Sequence, residues 1–109
     1  MAETFKNKTL VIGDTADAVA YTCPSLTTAI VIHCQVANVN GANAADLNID
    51  LHDSSATSTA AVVSTVSVPA DSALNPIGGK LVLEASDELR VWAGAASDLE
   101  LTLGILEIT

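Results

Sequence analysis

Residues 99–108 read LELTLGILEI, and their spacing decides the fold class. Leu99, Leu101, Leu103 and Ile105 alternate with Glu100, Thr102 and Gly104. Side chains of an extended chain point to opposite faces in turn, so a period of two marks a strand with one buried face. Toward its end the segment changes, because Leu103, Ile105, Leu106 and Ile108 load both faces. One face can cover a core. The other needs a cover, either the chain's own N-terminal segment or another subunit.

The same period recurs on the N-terminal side. Leu89, Val91 and Ala93 alternate with Arg90, Trp92 and Gly94, and Leu47, Ile49 and Leu51 alternate with Asn48, Asp50 and His52. Ile30, Ile32, Cys34 and Val36 form a further apolar row, with Ala29, Val31, His33 and Gln35 opposite. Strands are predicted near 8–12, 18–23, 28–39, 46–53, 60–68, 80–84, 88–94 and 99–108. Turn residues separate them: Gly13-Asp14, Pro24-Ser25, Asn40-Gly41, the stretch from Pro69 to Gly79, Ser86-Asp87 and Ser97-Asp98. The Gly78-Gly79 pair reads as a turn that needs positive φ. Residues 56–66 have the Ala content of a helix and the Thr and Val content of a strand. Seven or eight short strands at this spacing predict an all-β, two-sheet antiparallel β-sandwich, jelly-roll or Greek-key-like.

The 109 residues allow one domain, read as an N-terminal arm over 1–9 and a sandwich over 10–109. Half the residues are hydrophobic and 3% are aromatic, so the core is built from aliphatic side chains. Net charge is −9, from four cations against thirteen carboxylates. Phosphate backbones are held by clusters of Lys and Arg, which this chain lacks, so nucleic acid is an unexpected partner. An anionic membrane surface repels such a chain, and no stretch approaches the ~18 apolar residues of a membrane span. The opening MAETFKNKT has no apolar run of a signal peptide, which predicts a cytosol-like compartment and reduced, packed Cys23 and Cys34. A disulfide between them requires facing positions on neighbouring strands. Glu3, Lys6 and Lys8 make the first nine residues net positive on an acidic body. That leader either docks on a neighbouring acidic copy or is a solvated terminus.

Chemistry-bearing patterns are few. No serine lies in a G-x-S-x-G elbow, and Gly78-Gly79-Lys80-Leu81 lacks the spacing of a phosphate-binding loop. His33 and Cys34 are adjacent on a strand and face opposite sides, so they do not share a metal. His33 and His52 are able to face each other on one polar sheet face, but two ligands make a poor zinc site. Asp46, Asp50 and Asp53 lack the pattern of a calcium loop. No catalytic residue, metal or cofactor is therefore expected. Trp92 falls on the side of Arg90, out of phase with the apolar row. It is an interface anchor, or part of a strand 88–94 buried on both faces, or a residue covered by the 69–79 loop.

Residues 67–109, SVPADSALNPIGGKLVLEASDELRVWAGAASDLELTLGILEIT, resemble small virion structural proteins of tailed bacteriophages. The matching residues are Val68 to Ala70, Leu81 to Asp87 and Ala95 to Thr109, and residues 27–55 look like the first long hairpin of those proteins. Ser86 departs from the pattern, which has Gly there. The resemblance implies a β-sandwich that assembles in many copies on a capsid or tail, and the role favoured within that group is a capsid decoration or cement protein on the capsid exterior, assembled in the host cytoplasm. It implies a homotrimer and the major capsid protein as partners. Phe5, Lys6 and Lys8 in the leader, with Arg90 and Trp92, are the expected interface residues. A head–tail connector, tail or head-fibre protein would share the fold. A carbohydrate-binding module would use Tyr21 and Trp92 as its exposed aromatics, and an enzyme would need a constellation that the sequence does not display.

Overall fold

The computed structural model describes residues 2–109. It is all-β, with no helix among the described residues. The described residues form nine strands: β1 (Glu3–Ile12), β2 (Ala18–Thr22), β3 (Thr28–Asn38), β4 (Ala45–Asp53), β5 (Ser58–Val68), β6 (Ala73–Leu74), β7 (Leu81–Leu83), β8 (Glu88–Ala93) and β9 (Leu99–Ile108). They make two antiparallel sheets. Sheet A runs β1-β9-β3-β6, with β7 also paired to β3, and sheet B runs β2-β8-β4-β5. The expected β-sandwich is the observed fold.

The strand expected at 8–12 reaches back to Glu3 and pairs with β9 over ten consecutive residues. From Glu3 onward the expected arm is thus an edge strand of sheet A. Residues 58–68 form a strand, so the β-branched Thr and Val outweigh Ala there. The 69–79 loop contains β6, a two-residue strand on Val36 and Ala37. Of the glycine pair, Gly79 alone takes a positive φ, of 155°.

The core is aliphatic. Leu99, Leu101, Leu103 and Ile105 of β9 are buried against Leu47, Ile49, Leu89 and Val91 of sheet B. One predicted row is corrected. Ala29 and Val31 point inward, Ile32 is exposed, and Cys34 and Val36 point inward again. A β-bulge causes this. The β3–β9 register shifts between Val31 and His33, so Ile32 is the extra residue and the inward phase changes by one. Gly104 faces the bulge, where an added Cβ would lie 3.3 Å from the His33 Cβ and 3.6 Å from Ile32 Cγ1.

The loops gather at two ends. At one, Ser97 N–H donates to Ile12 O, Val39 N–H to Asp98 O and Asp71 N–H to Asn40 O. The buried Asn38 amide donates to Asn43 O (3.0 Å) and Val68 O (2.9 Å), which ties the loop after β3 to the end of β5. At the other end Ser86 N–H donates to Cys23 O, and Ser54 N–H to Asp87 Oδ1.

Candidate interaction surface

Antiparallel register partners lie side by side on one face of a sheet. In sheet A, Phe5 of β1 is opposite Leu106 of β9, Leu106 is opposite Ile30 of β3, and Ile30 is opposite Val82 of β7. The inward row beside this one is Ala29, Leu83 and Glu107, all buried. Phe5, Leu106, Ile30 and Val82 therefore form an uncharged row across four strands on the outer face. Phe5 is 72% and Val82 54% exposed, and Leu106 and Ile30 are half-buried. Ile108 and the bulged Ile32 flank the row. From Ala2 onward the N-terminal segment does not cover this face. It lies in the plane of the sheet and adds Phe5 to the row.

The outer face of sheet B has opposite chemistry. The corresponding register row is Val19, Arg90, Asp50 and Ala61. Arg90 Nη2 lies 2.7 Å from Glu88 and Nη1 3.5 Å from Asp17. Burial, with Asp17 repelling in the same direction and Arg90 opposing, raises the Asp50 carboxyl above its usual range. Trp92 is half-buried on this face, in register with Asn48.

The five expected interface residues are thus not brought together. Phe5 lies in the apolar row on one side, and Arg90 and Trp92 lie on the other. Lys6 and Lys8 are in register with the inward-facing Ile105 and Leu103. Lys6 Nζ makes an ion pair of 2.9 Å with Glu107, whose other carboxylate oxygen accepts from Tyr21 Oη at 2.5 Å. The Tyr21 and Lys6 hydrogen bonds hold the Glu107 carboxyl below its usual range. Burial, and then Glu107, pushes the Tyr21 hydroxyl up. This contact ties β1, β9 and β2 together across the sandwich. Sequence reading missed Glu107: alternation from Leu99 to Ile105 points it inward, but its partners Tyr21 and Lys6 are set only by strand pairing.

His33 lies on sheet A and His52 on sheet B, where His52 Nδ1 is 2.8 Å from Thr59 Oγ1, so they do not share a face. Asp46 and Asp53 stand at opposite ends of β4. Asp53, Glu84 and Asp87 do approach, with one oxygen of each within 4.8 Å of the others. Asp87 is occupied in organising loops: it accepts from Ser54 N–H at 3.0 Å and Glu84 N–H at 2.9 Å. Cys23 and Cys34 are both free and buried. Burial pushes the Cys34 thiol up to about 11 and is the leading cause of the rise at Cys23.

No protein-family model matches the chain, and no curated protein does. Solved structures do. A structure from Bacillus endospore appendages, which form disulfide-linked pili, aligns at a TM-score of 0.59 and 14% identity, over 99% of this chain and 87% of that one. A chain of infectious bursal disease virus, Gx strain, aligns at a TM-score of 0.50 and 13% identity, over 95% of this chain and 32% of that one. A pentameric capsid protein from metagenomic phage sequences aligns at a TM-score of 0.39 and 16% identity, over 94% of this chain and 59% of that one. At these identities the likeness is one of fold: the chain shares a β-sandwich with pilus and virus structures.

Proposed function

We propose that this chain is a virion structural protein, a decoration or cement protein that binds the outer surface of a phage head as a homo-oligomer. It would reinforce the shell by bridging copies of the major capsid protein. The observation that carries this reading is the apolar row of sheet A. A chain of net charge −9 places four bulky apolar side chains in register on an outer face, and no segment among the described residues covers them. Such a face fits a molecule whose working state is an assembly.

Other features support it. Counting β6 and β7 as one interrupted strand gives two four-stranded sheets, which we read as a jelly roll. The two neighbours at TM-scores of 0.59 and 0.50 come from a pilus and a virus. The pilus is disulfide-linked, whereas Cys23 and Cys34 here are 1% and 4% exposed, so copies of this chain would associate without covalent links. Selective binding to an expanded lattice stabilises that lattice by mass action, and weak contacts gain strength through multivalency. Phe5 and Lys8 stay exposed for such contacts, while Lys6 is engaged with Glu107. The carbohydrate-binding alternative loses its platform, since Tyr21 is buried and Trp92 half-buried.

The test is co-sedimentation of the purified chain with phage heads before and after expansion, followed by imaging of decorated particles. Density on the outer shell, stronger on expanded heads, is expected. Density at the connector or tail would transfer the chain to another virion role, and absence of binding to heads and tails alike would remove the reading.

A further inference from the structure

We propose that the Phe5–Leu106–Ile30–Val82 row is covered by the same row of a second copy, face to face, about a two-fold axis that runs along the row. This deepens the reading of the chain as an assembling structural protein and rests on it.

In a two-fold contact every surface group meets its counterpart on an identical surface. Copies of net charge −9 repel, so a self-contact needs a centre free of charge. The outer row of sheet B fails this condition, because it carries Arg90 and Asp50 with Glu88 and Asp17 close by. The row of sheet A meets it across all four strands. An axis along the row sets Phe5 on Phe5, Leu106 on Leu106, Ile30 on Ile30 and Val82 on Val82, and it reverses the strand direction of the second copy.

The rim of the patch specifies the axis further. Lys80 and Glu84 flank β7, two residues to either side of Val82, and both are exposed. Strand alternation continued past β7 puts the Cβ of each on the face of Val82, while the Glu84 carboxylate turns toward the end of the sandwich, with an oxygen within 4.8 Å of the Asp53 and Asp87 carboxylates. Reversal of the strand direction lays Lys80 of one copy against Glu84 of the other, twice per dimer. An axis along the strands would instead lay Glu84 against Glu3. An apolar centre with a charged, complementary rim is the usual anatomy of a protein interface.

The contact is small. Four strands about 4.8 Å apart, with five residues along each, cover roughly 300 Å² a side, against about 800 Å² a side for a standard interface. Association is therefore weak in solution and gains strength where many copies are held together. The contact closes at two copies, so it joins pairs and does not by itself build a trimer.

Sedimentation equilibrium of the full chain, without phage particles, tests the proposal. A monomer–dimer equilibrium is expected, and Leu106→Lys weakens it at least tenfold. Val82→Lys, at a more exposed position, serves if Leu106→Lys fails to fold. Lys80→Glu weakens the dimer, and adding Glu84→Lys restores it. Mild oxidation of Leu106→Cys yields a covalent dimer, whereas Ala61→Cys on sheet B does not. A monomer at every concentration, a trimer, or a dimer indifferent to Leu106→Lys would overturn the proposal. A monomeric chain that still decorates heads would leave the virion reading standing and assign the row to the shell.

Discussion

The two outer faces have the same layout and opposite chemistry. Each presents a register row of four residues: Phe5, Leu106, Ile30 and Val82 on sheet A, and Val19, Arg90, Asp50 and Ala61 on sheet B. The sheet B row is finished within one molecule, because its guanidinium already has Glu88 and Asp17 as partners. The sheet A row is unfinished, since no segment among the described residues lies over it. A sandwich needs only one apolar face per sheet. A second one on sheet A is not needed by the monomer, which is why we propose it as a contact with another molecule.

The largest expected effect comes from moving residues between faces. Deleting Thr102 sends Leu103, Ile105 and Glu107 outward and Leu106 and Ile108 inward, and we expect circular dichroism melts to lose cooperative unfolding. Deleting Ile32 removes only the bulged residue, so Val31 and Cys34 keep their inward direction. That chain is expected to fold. Equal damage from the two deletions would refute the assignment of the bulge.

Next in size is the polar contact that joins the two sheets. Glu107→Gln is expected to cost about 2 kcal/mol in urea denaturation, because the charged hydrogen bonds to Tyr21 and Lys6 are lost. The lowered Glu107 carboxyl contributes stability that is full above its ordinary value of about 4.3. That contribution disappears as pH falls through the lower folded value. Asp50 on sheet B has the opposite sign: its raised carboxyl disfavours the fold at neutral pH, and acidification relieves it. Glu107→Gln should therefore flatten the acid limb of the stability curve, and Asp50→Asn should raise stability near neutrality. A Glu107→Gln protein with an unchanged acid limb would contradict this.

A smaller gain is expected where the sheets are joined. Ser86 has φ 70°, the third position of a turn closed by Asp87 N–H to Glu84 O at 3.0 Å. Glycine suits that conformation, so Ser86→Gly should raise stability by about 1 kcal/mol at most, read as a rise in Tm. The smallest effect is on the charged face. Arg90→Ala should lower Tm only slightly, given the exposure of Asp17. It should also raise the Asp50 pKa further, readable by NMR titration.

Much of this fold is written in the period-two rows. Residues 47–51, 89–93 and 99–105 show strict alternation, and the buried residues follow it. The Gly expected at position 86 from resemblance also has a physical basis, since Ser86 occupies a left-handed conformation there. The double loading of Leu103, Ile105, Leu106 and Ile108 correctly signalled a second apolar face on β9. It did not say that Phe5, Ile30 and Val82 continue that face, because the four residues are distant in sequence and meet only through strand pairing.

What the amino-acid sequence determined by itself is local: extended segments, their turns, an aliphatic core and an acidic surface. Side-chain alternation and charge are properties of neighbours along the chain, so they need no fold to be read. The tertiary structure alone decided register. It turned Ala29 and Val31 inward through a one-residue bulge, placed Glu107 beside Tyr21 and Lys6, separated Phe5 from Trp92, and aligned four apolar residues into a row. Register is a relation between distant segments, fixed by how two sheets fill the space between them, and no single segment contains it.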